Sequence, residues 1–172
     1  MNRLSLIVIS ILLVSCGATV VVDYNSETDF AEFTAYQFFD EIDSGLNQLD
    51  NKRIMRAIDS SLLKRGFIRT DDCRFHINFF ANERISDSRN TLGIGVGGGG
   101  GNVGVGVSGG IPIGGQVINQ QLTIDIVDTS VGQELVWQAI VDGELKEKAT
   151  PEQKEAYYFS VIDKALSKFP PK

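Results

Sequence analysis

The residues with the strongest claim to chemistry are Leu13-Val14-Ser15-Cys16, at the end of an apolar run that starts at Leu4. A leucine, two small-to-medium residues and a cysteine directly after a secretory h-region form a lipobox. The spacing predicts cleavage before Cys16 and attachment of diacylglycerol and acyl chains to its thiol. Leu4 to Val14 is 11 residues, which as a helix spans roughly 17 Å, about half of a ~30 Å hydrocarbon core. That length argues against a transmembrane anchor. Arg3 in a short n-region and the small Ser15 match a cleaved signal. An ordinary secretory signal would leave the position of Cys16 to chance. Two or three chains on one cysteine give a lasting anchor, because each buried CH₂ is worth ~0.8 kcal/mol and a single chain holds only marginally. Residues 1–15 are thus expected as a lipoprotein-type signal peptide, and 16–172 as one domain tethered through Cys16 to a membrane.

No other constellation survives inspection. His76 is the only histidine, which excludes a multi-histidine metal site. Cys73 and His76 stand three apart at the start of a strand, so their side chains should leave opposite faces. A thiolate–imidazole pair needs them within hydrogen-bond reach. The carboxylates gather as Asp40-Glu41-x-Asp43 and Asp71-Asp72 in loops, with Asp125 on the polar face of a strand and Asp128 opening the next turn. Any pair of them is formally an acid and a base, but nothing in the spacing gives them one pocket, and solvated charges are expected. No calcium-binding loop of the EF-hand kind is present. No catalytic residue, metal or cofactor is expected.

Composition narrows the rest. The 172-residue chain is 42% hydrophobic and 22% charged, enough for a core and too apolar for wholesale disorder. Removing residues 1–15 takes away Arg3, one of 16 basic side chains against 22 acidic ones, so the formal charge moves from −6 to −7. An acidic domain without a Lys/Arg run is a poor partner for nucleic acid or anionic headgroups. With Cys16 lipidated, Cys73 is the one remaining thiol and has no internal disulfide partner.

The elements that hold these residues can be read in order. Thr19-Val20-Val21-Val22-Asp23-Tyr24 is a β-branched run that predicts a strand directly after the anchor, so the domain should sit close to its membrane. Thr34 to Phe39 predicts a second strand. Asn47, with Asp50 three residues on, opens a helix whose Ile54, Ile58 and Leu62 form one apolar stripe, and Gly66 supplies a left-handed stop. Arg74 to Asn82 alternates as a strand, with Phe75, Ile77 and Phe79 on one face, and the polar Glu83 to Asn90 reads as a loop. Gln116 to Val127 and a returning strand with Leu135, Trp137, Ala139 and Val141 toward the core predict a hairpin. Thr150-Pro151-Glu152-Gln153 starts a last helix that buries Tyr158, Ile162, Ala165, Leu166 and Phe169, and Pro170-Pro171 stops it. The expected architecture is α+β: a two-layer sandwich, a largely antiparallel sheet with both helices on one face.

Thirteen of the 18 glycines lie between Gly93 and Gly115. Leu92, Ile94 and Val96 alternate with glycine, as do Val103, Val105 and Val107, and Gly98 to Asn102 suits the turn of a glycine-rich hairpin over 92–115. One reading is a structural ribbon whose aliphatic face packs on the domain. Another is an exposed hairpin that adds to a partner's sheet or dips into the membrane interface. Gly93-x-Gly95-x-x-Gly98 fits a dinucleotide fingerprint only formally, since no helix follows to receive a phosphate.

The order of motifs resembles a known family. Val20-Val21-Val22-Asp23-Tyr24-Asn25 follows a lipobox and leads to Asp29-Phe30, Thr34-Ala35-Tyr36, Arg53-Ile54 with Ala57-Ile58, and Lys64-Arg65-Gly66-Phe67. A glycine-rich middle, Leu122-Thr123-Ile124-Asp125-Ile126, Leu135-Val136-Trp137 and Lys168-Phe169-Pro170-Pro171 complete it. Across nearly the whole mature chain this resembles the domain-of-unknown-function 4136 family of small bacterial envelope lipoproteins. The resemblance implies an α+β periplasmic lipoprotein without assigned activity and carries over no functional residue except Cys16. Gly17 after the cysteine fits sorting to the outer membrane, facing the periplasm. The function expected from these readings is a non-enzymatic binding or scaffolding module for a protein partner. Alternatives are a carrier of a lipid or other apolar small ligand and, third, a hydrolase.

Overall fold

Asn47 opens the first helix as its spacing predicts: its side-chain oxygen accepts from the Leu49 and Asp50 amides at 3.0 and 3.1 Å, pairing two donors that every helix N-terminus leaves orphaned. In the computed structural model, which describes residues 19–87, 91–93, 110–112, 115–130 and 132–171, this helix α1 spans Gln48–Leu63. Ile54, Ala57, Ile58 and Leu62 are buried along one stripe. The chain leaves through Gly66 at φ 90°, in the left-handed region where a side chain would be strained. The second helix, α2, spans Pro151–Ala165 and is closed by a complete capping box between Thr150 and Gln153. Tyr158, Val161, Ile162 and Ala165 face inward, and a 3₁₀ turn over Leu166–Lys168 adds buried Leu166 and leads to buried Phe169.

The strands are β1 (Thr19–Tyr24), β2 (Ala35–Phe38), β3 (Ile68–Arg69), β4 (Phe75–Asp87), β5 (Thr91–Gly93), β6 (Gly110–Pro112), β7 (Gln116–Asp128) and β8 (Glu134–Lys146). Six of them form one sheet in the order β1-β8-β7-β4-β2-β3, and β5 pairs with β6. The β1–β8, β8–β7 and β7–β4 pairs are antiparallel. β2 runs parallel to both β4 and β3, so β2, α1 and β3 make a βαβ crossover and the sheet is mixed. One face carries Ile77, Phe79, Leu122, Ile124, Ile126, Trp137, Ala139 and Val141 into a single core with the stripes of both helices. This is the expected two-layer α+β sandwich.

Two details differ from the sequence reading. Glu83 to Asp87 is strand rather than loop, pairing residue by residue with Gln116 to Gln120; backbone bonds hold it although nearly every side chain there is polar and exposed. Leu135 points outward, 48% exposed, while Val136 and Trp137 are both buried. Ile126 pairs with Trp137 and Val127 with Leu135, leaving Val136 as the extra residue of a β-bulge. A bulge reverses the inside–outside alternation beyond it, which is why the simple period-2 pattern misplaces Leu135.

The helices are also fastened to each other. Asp50, almost wholly buried, receives Arg53 at 2.7 Å from its own helix and Lys154 at 2.8 Å from α2. Burial by itself would raise its pKa; hydrogen bonds from Lys154, Asn47 and Arg53, with the Lys154 charge, overcome that and hold it below the usual carboxylate range. Replacing Ile58, which is fully enclosed, with alanine is expected to cost about 2–5 kcal/mol. Urea unfolding should show a lower midpoint at unchanged slope, and a variant as stable as the parent would contradict the packing of this stripe.

Candidate functional site

Cys16 lies outside the described residues, as do Ile94, Val96, Val103, Val105 and Val107 of the glycine-rich hairpin and its proposed turn at Gly98 to Asn102. Leu92 falls in β5, where its backbone pairs with Ile111. The β5–β6 ladder keeps the register of β4–β7: Asp87 pairs with Gln116 and Thr91 with Pro112, with equal numbers of residues intervening on the two sides.

Cys73 and His76 have separate partners. The Cys73 thiol donates to the Phe75 carbonyl at 3.4 Å, and burial pushes its pKa up. His76 Nδ1 lies 3.2 Å from the Thr129 hydroxyl, on the face opposite Phe75 and Ile77. Asp40, Glu41, Asp43, Asp71 and Asp72 are exposed, and Asp71 accepts from Gln37 at 2.5 Å. Asp125 is half-buried and its pKa is raised, first by burial, against the hydrogen bond from Gln138 at 2.8 Å. Its cross-strand neighbours are Asn78 and Gln138 rather than a second carboxylate. Asp128 departs from the expectation of a solvated loop charge: it is buried and forms an ion pair with Arg74, which also reaches Glu32 at 2.7 Å. Among the described residues no three His, Cys, Asp or Glu side chains gather as a metal site, and no helix is long and apolar enough to cross a membrane.

The sheet and α2 enclose a cleft that no local pattern announces. It has a volume of about 930 Å³ and is lined by residues of β4, β7, β8 and α2, among them Glu83, Gln120, Gly143, Tyr157 and Ser160. Glu83, Gln120 and Gly143 are direct cross-strand neighbours and form one row on the helix-facing side. Gly143 is needed there, since a Cβ would stand 3.0 Å from Cε2 and Cζ of Tyr157 and closer still to its hydroxyl. Gln120 is only 2% exposed. Its amide nitrogen donates to Glu83 at 2.8 Å and to the Tyr158 hydroxyl at 3.2 Å, while its Oε1 has no donor among the described residues. An unmet buried acceptor costs about 1–3 kcal/mol. Burial, then the Tyr158, Glu83 and Asp142 charges, keep the Tyr157 phenol protonated far above its ordinary range.

An α+β domain with helices on one face of a mixed six-stranded sheet, its core filled and a polar cleft at one flank, is the class these features define. The chain belongs to the family described as a domain of unknown function, DUF4136, which it matches over residues 20–171. It is similar in fold to a PDZ domain protein from Parabacteroides distasonis, at 17% identity and a TM-score of 0.56 over 91% of this chain. This chain spans 37% of that longer one. It is likewise similar to PelC from Paraburkholderia phytofirmans, solved as a dodecamer, at 15% identity and a TM-score of 0.51, covering 87% of this chain and 95% of that one. A comparison with curated protein sequences yields no match.

Arg74 and Asp128 give a pH prediction. The Arg74 hydrogen bond pulls the Asp128 pKa down to about 2 in the folded state, below the unfolded value near 3.9. The stabilisation is present above the unfolded pKa and is lost as pH falls through about 4 toward 2. Because Arg74 is 41% exposed, screening limits the effect to about 1 kcal/mol. Asp128→Asn should be less stable than the parent at pH 6 and should converge with it at pH 2 in denaturant titrations; a gap unchanged between the two pH values would refute the assignment.

Proposed function

We propose that the chain is a membrane-anchored envelope lipoprotein, acylated at Cys16, whose domain is a non-enzymatic binding or scaffolding module for a protein partner. The open edge of β4 carries this reading. From Asn82 to Asp87 the strand pairs with β7 on one side. On the other, β2 pairs only as far as Ile77 and a single bond joins Ala81 to Ser44, and no described strand continues along that edge. Unpaired strand edges are templates for another chain. The β5–β6 ladder, in the same register, extends the pairing pattern toward the glycine-rich residues that the sequence marks as an interaction hairpin.

A filled core favours a protein partner over a lipid cargo. The apolar gap among Phe33, Tyr36, Leu62, Phe67, Ile126 and Phe169 is about 10 Å³, too small for an acyl chain and at the limit for one water. A hydrolase gains nothing from the carboxylates, since Asp125 faces amides and Asp128 is spent on Arg74. The dodecamer formed by PelC makes further copies of this chain one class of partner. Gly17 points to the outer membrane, facing the periplasm, as the place where such contacts form.

Two measurements test the reading. Cys16→Ser should lose the acylated mass and leave the membrane fraction; a variant that keeps both refutes the anchor. Native mass spectrometry of full-length protein gently extracted from its own envelope should show an added mass of protein size. An added mass of a few hundred daltons, retained by the domain without its anchor, would instead support a carrier.

A further inference from the structure

The cleft beside α2 has unspent binding capacity that neither the anchor nor the β4 edge uses. Its wall is the Tyr157 ring, seated over the bare Gly143 backbone. Its floor is Gln120, 98% enclosed, with Oε1 lacking a donor. Beside Gln120 stands Glu83, held in place by the Gln120 amide at 2.8 Å. Among the described residues no cation pairs with Glu83; Asp142 and Glu144 also line the cleft, but the alternation of β8 sends their side chains to the face opposite Gly143. Arg84 is the one cationic lining residue. The alternation of β4 sends its side chain to the face opposite Glu83. The charged group left over on the helix-facing side is therefore the Glu83 carboxylate, beside an aromatic face. That set suits a ligand that brings N–H donors and positive charge, and it disfavours anions and neutral acceptors.

We propose that this cleft binds an alkylammonium group, with Glu83, oriented by the Gln120 amide, as its counter-charge and Tyr157 as the wall against which the alkyl stem lies. The group belongs to a lysine side chain of a protein or to a free polyamine; the chemistry is the same and the volume admits either. Gly143 is the positioning residue, since any side chain there displaces Tyr157. The site is independent of the anchoring reading and would stand if Cys16 proved unmodified.

The test uses the full chain in detergent at low ionic strength, titrated calorimetrically with 1,5-diaminopentane, with its uncharged analogue 1,5-pentanediol and with acetyl-trilysine amide. The diamine or the peptide should bind saturably and the diol should not. Glu83→Gln keeps the shape of the side chain and should weaken binding at least about tenfold, with an unfolding midpoint close to the parent's. Gly143→Val should weaken it as well by moving Tyr157. The side-chain amide resonances of Gln120 should shift on binding. Tighter binding of the peptide assigns the lysine source, and tighter binding of the diamine assigns the polyamine. Equal affinity in Glu83→Gln, equal binding of the diol, or no saturable binding of either amine at millimolar concentration would overturn the proposal.

Discussion

Burying one face of the β7–β8 pair beneath both helices is the constraint on which the rest of the molecule depends. Ile124, Trp137 and Ala139 are fully enclosed at the middle of that face, against Tyr158, Ile162 and Leu166 from the chain's last elements and Ile54 and Ile58 from α1. A strand offers every second side chain to such a layer, so a slip of one residue would carry the whole apolar set into solvent. The register of all three long strands is thereby fixed at once. The Val136 bulge adds a buried side chain to that core just beyond the pair where Ile126 meets Trp137.

The Asp50 cluster does different work. A carboxylate taken out of water loses more through desolvation than one contact returns, and it remains ionised only when several partners converge. Asn47, Arg53 and Lys154 do so from two helices that are about a hundred residues apart in sequence. The cluster closes only when α1 and α2 stand at one relative position along their axes. It therefore selects a docking geometry that the apolar stripes alone would leave free to slide.

Much of this was legible before the fold. Both helices announce themselves through caps and stripes that lie within a few residues of one another, and the capping box at Thr150 forms as spelled. The long strands are legible wherever one face is buried, as at Phe75, Ile77 and Phe79. Glu83 to Asp87 is not, because a strand held by backbone pairing with Ile85 as its one apolar residue leaves no periodicity to detect. The parallel seat of β2 beside β4 depends on where a crossover lands, which no local signal encodes. Asp50 reads as a capping residue because its Lys154 partner is remote in sequence. The candidate cleft was invisible for the same reason: Glu83, Gln120, Gly143 and Tyr157 come from four elements, and each alone looks like an ordinary surface residue.

The position of that cleft follows from unequal lengths. Strands of 13 residues reach about 43 Å at ~3.3 Å per residue, whereas the 15 residues of α2 cover about 22 Å at 1.5 Å per residue. The helix cannot roof the strands from end to end. Under it the helix-facing rows are apolar, as at Ala81, Leu122 and Val141; the next row outward is Glu83, Gln120 and Gly143. A further apolar row, Ile85, Ile118 and Leu145, follows. A sheet that merely ran out into solvent would grade steadily from apolar to polar. A polar row enclosed between two apolar ones, with a glycine admitting a tyrosine and a buried amide oxygen left without a donor, is costly to maintain by stability alone. The proposed alkylammonium site gives that row a use that packing alone does not.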